Sequence, residues 1–352
     1  MKSTTNIHHQ NKTMYSNLPN FIIIGSMKCG TTSLYRYLDL HPAISMSHIK
    51  EPDFFVDTWE SGKKGNWWRG IEWYASLFAA DARCCGEAST NYCKYPAIKG
   101  VPGRMHSIAP DAKLIYLVRN PVDRLVSHYV HSLAEGWGNA KTFEAFLGDS
   151  FDSHPVICTH YYKQLEQYFP YYKPSQIRII RFDDLVHKRI ETLHNLFLYL
   201  GVDSEFQHDN FFKVYQYPNS KMKKTPLGIF VQQHLSQNHE LIPVIQQIQE
   251  AKPYLLSTPV AKPKVSLNIR NKIIDVLYND IKKLEAYTGW DLSDWYATSK
   301  NNKKGTTSLT RLGNYYMAKG NTKKAEYFFQ QTLILDPHNL EAQSGLEQVS
   351  QL

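Results

Sequence analysis

The 352-residue chain has no run of apolar residues long enough to cross a membrane, which takes ~18 or more. Its opening, MKSTTNIHHQNKTMYSNLP, lacks the apolar core of a signal peptide. Residues 1–18 are polar and read as disordered, and the cytoplasm is the expected compartment. Cysteine is sparse: five, an odd number, with Cys84 and Cys85 adjacent and no Cys-x-x-Cys pair. That excludes a zinc knuckle, argues against a disulfide framework and fits a reducing compartment. Charge of one sign is not lacking, but bases lead: Lys+Arg 40 against Asp+Glu 32, a net +8. The excess favours an anionic ligand or surface without choosing among nucleotide, nucleic acid and lipid head group. At 42% hydrophobic and 20% charged residues, the composition is that of a globular protein able to bury a core.

Two further absences concern the segment FIIIGSMKCGTTSLYRYL, Phe21 to Leu38, and the buried strand expected after it. A short apolar strand, a loop with Gly25 and Gly30, and a helix opening on Thr31, Thr32 and Ser33 form a phosphate-binding arrangement. A nucleotide triphosphatase carries a lysine after the second glycine; here Lys28 lies inside the loop. Such an enzyme also ends its next buried strand in a magnesium-binding aspartate; KLIYLV, Lys113 to Val118, ends in Arg119. The pattern therefore points to a phosphate compound bound without a metal, with Arg119 holding a second anion.

Strands are expected at Phe21 to Ile24, Lys113 to Val118 and Ile177 to Phe182. Helices should follow each: from Thr31 until His41-Pro42, through NPVDRLVSHYVHSL, and through ETLHNLFLYLG to Gly201. This alternation implies an α/β fold, a three-layer α/β/α domain with a central parallel sheet. Pro226 to Ala261 reads as irregular helix. IRNKIIDVLYNDIKKLEAYTG is an amphipathic helix with Ile273, Val276, Leu277, Ile281 and Leu284 on one stripe and Gly289 as C-cap. The expected domains are 19–297, a polar linker 298–308, and an appendage over 309–352. In the appendage, Leu312, Gly313, Tyr316, Gly320, Ala325, Phe329 and Pro337 fall at the offsets of one tetratricopeptide repeat, a helical hairpin. One repeat does not bury its own face, so it should dock on the main domain or on a partner.

Several of these residues carry a resemblance. The opening loop resembles the 5′-phosphosulfate loop of sulfotransferases that use 3′-phosphoadenosine 5′-phosphosulfate (PAPS). YLVRNPVDRLVSHY is similar to their 3′-phosphate motif, with Arg119 at the strand end and Ser127 eight residues on. KEPDFF (Lys50 to Phe55) and GEASTNY (Gly86 to Tyr92) resemble segments of the heparan-sulfate-type branch, and DIKKLEAYTGWDLSDW resembles the closing helix. The resemblance runs from Phe21 to Trp295. It implies that Lys28 stabilises charge on the leaving phosphate and that Lys28, Cys29, Gly30, Thr31, Thr32 and Ser33 line the phosphosulfate. It implies that Arg119 and Ser127 read the 3′-phosphate and that Glu51 is the general base, with Lys50 orienting it or touching the sulfuryl group. Lys221, Lys223 and Lys224 would close over the 3′-phosphate from the late loop PNSKMKKTP. Two positions depart from the branch: Ala88 stands where it has Lys, and Asn91 where it has Pro.

The sequence thus predicts a PAPS-dependent sulfotransferase that uses no metal and binds neither nucleic acid nor membrane. The acceptor is expected to be a hydroxyl of a small polar metabolite or soluble sugar. N-sulfation of an amine is the alternative, as is a non-catalytic nucleotide-binding scaffold with a docking surface. His48 is the rival base. His128 and His131 read as structural or exposed. Trp59, Trp67, Trp68, Trp73 and Tyr74 read as core in preference to acceptor-stacking walls. Pro52 biases Glu51 toward an extended backbone.

Overall fold

The computed structural model describes residues 18–79, 84–137, 140–213, 221–234, 247, 253–296 and most of 310–351. Residues 1–17 of the expected disordered segment and the linker fall outside these residues, as do Leu312 and Pro337. The chain divides into two units, up to Lys264 and from Val265 onward. The amphipathic helix therefore groups with the C-terminal segment.

The first unit is built on β1 (Phe21–Gly25), α1 (Thr31–Leu38), β2 (Ile44–Met46), β3 (Cys84–Ala88), β4 (Lys113–Val118), α2 (Pro121–Glu135), β5 (Ile177–Arg181) and α3 (Arg189–Leu200). The five strands form one parallel sheet in the order β2-β3-β1-β4-β5. All five residues of β1 are buried, and so are five of the six in β4, as continuous apolar runs require when helices cover both faces. The three expected strands are present, although Phe182 leaves β5 to begin a helical turn. Strands β2 and β3 were not anticipated. β3 reads CCGEA, without the β-branched signature, and its composition has a packing cause. Gly86 lies opposite Phe21, and a Cβ there would meet the Phe21 ring at 2.0 Å. Glu87 is fully buried in the sheet because three hydroxyls donate to its carboxyl: Tyr74 (2.9 Å), Ser89 (2.7 Å) and Tyr92 (2.6 Å).

Later in the first unit, β6 (Met222–Lys224) pairs antiparallel with β7 (Ser257–Pro259), and α4 (Pro226–His234) follows β6. Among the described residues of the expected irregular helix, Pro226–His234 and Pro253–Leu256 are helical and Ser257–Pro259 is the returning strand; residues 235–246 and 248–252 lie outside the described residues.

In the second unit α5 (Leu267–Thr288) starts at Ser266, whose Oγ accepts from the Ile269 N–H, and ends at Gly289 with φ 71°. Ile273, Ile274, Leu277, Ile281 and Leu284 are buried, whereas Val276 is 41% exposed. At ~100° per residue Val276 lies about 100° from Leu277, off the stripe; Ile274 takes its place. Helices α6 (Thr322–Leu335) and α7 (Leu340–Ser350) pack through Phe329, Ala325 and Ala342, with Tyr316 and Met317 alongside. The Phe329 ring fills the space left by two glycines: a Cβ at Gly313 or Gly345 would lie 2.4 Å from it. Helix α7 extends beyond the expected hairpin.

Candidate active site

The chain leaves β1 toward β3 and β2 on one side and later returns to β4 and β5 on the other, so the sheet switches direction at β1. Open parallel sheets bind ligands outside the carboxyl ends of their strands at such a point. A cavity of about 350 Å³ lies there. Each strand's carboxyl end feeds it: Lys28 and Gly30 to Ser33 after β1, Glu51 after β2, Thr90, Asn91 and Lys94 after β3, Arg119 and Ser127 after β4, and Phe182 after β5.

The loop after β1 is held by its backbone. Lys28 has φ 70° and Gly30 φ 93°. A Cβ at Gly30 would approach Phe182 to 2.9 Å, so this position needs glycine for conformation and for space. No side chain caps α1, which leaves its first N–H groups facing the cavity for an anion. Burial lowers the Lys28 pKa from 10.5 to about 8, and the charges of Lys221 and Arg119 push the same way. The site is thus already positive before a ligand enters.

Arg119 is fixed from three sides. The Tyr161 hydroxyl donates to its carbonyl at 2.8 Å and accepts from its N–H at 3.3 Å. Its guanidinium stacks over Phe182 at 4.4 Å and reaches the Lys28 carbonyl at 3.5 Å. Asn120 caps α2, with Pro121 at the first turn, and so presents Ser127 one face on.

Glu51 departs from the expected conformation. Its φ is 58°, not extended, despite Pro52. Two backbone bonds impose this: the Glu51 N–H donates to the Ala88 carbonyl (3.0 Å) and the Asp53 N–H to Ser89 Oγ (3.1 Å). Asp53 also lies at positive φ, 49°. Left-handed non-glycine residues cost roughly 1–3 kcal/mol each and persist where surrounding structure over-determines them. The Glu51 carboxylate accepts from Lys50 Nζ at 2.8 Å and Thr90 Oγ1 at 3.4 Å. Lys50 itself does not line the cavity.

The structure therefore brings together Lys28, Gly30, Thr31, Thr32, Ser33, Glu51, Arg119, Ser127 and Lys221. It does not bring Cys29, Lys223 or Lys224 to the cavity. The Cys29 side chain is buried, 3.7 Å from the Tyr161 hydroxyl, and its N–H donates to Ser26. Lys223 and Lys224 are exposed on β6. His48 lies off the cavity, hydrogen-bonded to the Leu77 carbonyl at 3.1 Å. Of the aromatic group, Tyr74 is core, stacked on Phe54 at 4.1 Å, while Trp68 is 71% exposed.

Asn91, noted in the sequence as a departure from the branch, forms a polar wall of the cavity; Lys94, Lys262 and Trp137 were not anticipated as lining residues. Asn91 Nδ2 donates to Asp53 Oδ2 at 2.6 Å. His131, discounted in the sequence, also lines the cavity; burial, then Lys28 and Lys221, lowers its pKa to about 3, so its ring is neutral. Lys262 follows β7 just as Lys221 precedes β6, and the Val260 N–H donates to the Lys221 carbonyl at 2.9 Å. The hairpin thus offers a pair of cations that neither sequence segment announces alone.

Known proteins similar to this chain include sulfotransferases. The chain is 27% identical over 219 residues to a Drosophila melanogaster bifunctional heparan sulfate N-deacetylase/N-sulfotransferase, covering 55% of this chain and 20% of that protein. It is 31% identical over 175 residues to human heparan sulfate glucosamine 3-O-sulfotransferase 6, covering 48% of each. The chain thus spans about half or less of the length of these relatives. In fold it is similar to a sulfotransferase from Alicyclobacillus acidocaldarius, with TM-score 0.55 and 24% identity over 79% of this chain and 98% of that one. The sequence profile of the sulfotransferase domain matches residues 18–241, more than half of the 352. The chain belongs to the sulfotransferase family, whose sulfuryl donor is PAPS.

Proposed function

We propose that the protein transfers the sulfuryl group of PAPS to a hydroxyl of a small or soluble saccharide, releasing adenosine 3′,5′-bisphosphate (PAP). The observation that carries this is the placement of Lys28 and Glu51 in one cavity with Arg119 and Ser127. The donor has two anionic ends, and the cavity offers matching groups. Lys28, the open N-terminus of α1 and the hydroxyls of Thr31, Thr32 and Ser33 suit the phosphosulfate. Arg119 and Ser127, with Lys221, suit the 3′-phosphate.

Each residue then has a task. Glu51 takes the proton of the acceptor hydroxyl as its oxygen attacks sulfur. Lys28 offsets the negative charge gathering on the phosphate oxygen as the S–O bond breaks. Neutral His131 adds no positive charge to a wall already crowded with cations. The saccharide acceptor is supported by the two heparan-sulfate relatives. One of them is named for N-sulfation, which keeps an amine acceptor as the second reading.

The test is incubation of the full-length protein with PAPS and a panel of hydroxyl and amine saccharides, read by mass for the gain of one sulfuryl group. Gain on a hydroxyl saccharide is expected. PAP binding without transfer to any member would favour a nucleotide-binding scaffold instead.

A further inference from the structure

We infer that Lys94 binds an anionic group of the acceptor, a carboxylate or a sulfate ester beside the accepting hydroxyl; this rests on the sulfuryl-transfer reading above. Lys94 follows the short helical turn Thr90–Cys93 that leaves β3. The same turn supplies Thr90 and Asn91 to the cavity, and Thr90 Oγ1 donates to the Glu51 carboxylate. Lys94 therefore stands on the side of the general base, where the acceptor must enter.

Asp53 and Glu51 act on the Lys94 charge only from a distance. Lys221 has Glu135 at 3.8 Å and Lys50 has Glu51 at 2.8 Å, but among the described residues no carboxylate lies within ion-pair reach of Lys94 Nζ. Its close partner is the Trp59 ring, 5.1 Å away. The side chain is half-buried, and burial pushes its pKa below the ordinary lysine value. A partly desolvated ammonium that faces a cavity with no carboxylate in direct contact gains from an anion supplied by a ligand. The donor already has its own cations in Lys28 and Arg119. A neutral acceptor would leave Lys94 without a direct ionic partner; an acidic sugar would supply one.

The test uses the full-length protein saturated with PAP and three probes: methyl β-glucuronide, methyl β-glucoside 6-sulfate and methyl β-glucoside. Binding is read by calorimetry or ligand-observed NMR. At least one charged probe should bind about tenfold or more tightly than the neutral one, and which one separates carboxylate from sulfate ester. Lys94→Met should remove that preference while leaving PAP affinity and neutral-probe binding unchanged. In the unaltered protein, the preferred charged probe should slow acetylation of Lys94, read by peptide mass, and the neutral probe should not. The inference is overturned by wild-type indifference to charge, by a preference that survives Lys94→Met, or by a Lys94→Met defect confined to PAP. Transfer from PAPS is measured in parallel. Loss of transfer with an intact, Lys94-dependent charge preference would sink the activity reading and leave this inference standing.

Discussion

Lys28 sits where two pH trends of opposite sign meet. Its pKa in the free protein is about 8, below the ordinary 10.5. Between those values the unfolded chain binds the extra proton, so this group's contribution to stability rises with pH across that window. Phosphate binding needs the ammonium, so PAP affinity should fall as pH rises through about 8, by up to about tenfold per pH unit. Calorimetry in buffers of different ionisation enthalpy should show proton uptake on binding above pH 8, and Lys28→Arg should flatten the affinity profile. Glu51→Gln keeps shape and removes basicity, so kcat should drop by ~10²–10⁴-fold with little change in PAP affinity. His48→Ala should be near normal; the reverse pattern would reassign the base. Arg119→Ala should weaken PAPS more than adenosine 5′-phosphosulfate, which lacks the 3′-phosphate, by about 1.5–3 kcal/mol. These residues were legible because each belongs to a contiguous motif. Lys94 and Lys262 were not, because nothing in a one-dimensional neighbourhood says that a lysine lacks a direct carboxylate partner or that two distant strands pair.

Among elements, β3 shows how local signals and packing part company. Its sequence has a glycine and a glutamate where a buried strand ordinarily has valine or isoleucine, and only the Phe21 ring and three hydroxyls explain them. Burial raises the Glu87 pKa from 4.5 to about 7, with the hydroxyl donors opposing. The folded state therefore holds a proton that the unfolded state releases, and stability from this group is lost as pH rises from about 4.5 through 7. Glu87→Gln should flatten that slope in thermal melts. Glu87→Ala should cost roughly 2–4 kcal/mol, since it orphans three buried hydroxyls and leaves a void. Strands β1 and β4 were legible as continuous apolar runs, and β5 as the isoleucines Ile177, Ile179 and Ile180 interrupted by Arg178. The hairpin of β6 and β7 was not: each strand has three residues, and their pairing spans a long segment.

At the scale of the molecule, every residue lining the cavity precedes Lys264 and so belongs to the first unit. A chain truncated after Tyr296 should keep PAP affinity within about twofold, measured by thermal shift and calorimetry. Loss of binding in a still-folded truncation would tie the C-terminal helices to the site. In the C-terminal segment Gly313, Ala325 and Phe329, singled out in the sequence, do pack together, small residues against a large ring; helix α7 lay beyond the residues the sequence singled out. The spread of the cavity along the chain has a further consequence during synthesis. A chain emerging from the ribosome exposes Lys28, Glu51, Lys94 and Arg119 well before the hairpin that carries Lys221 and Lys262. The nascent protein thus passes through an interval with an assembled phosphate loop and an open roof, and donor capture by stalled chains should strengthen stepwise only once residue 262 has left the exit tunnel.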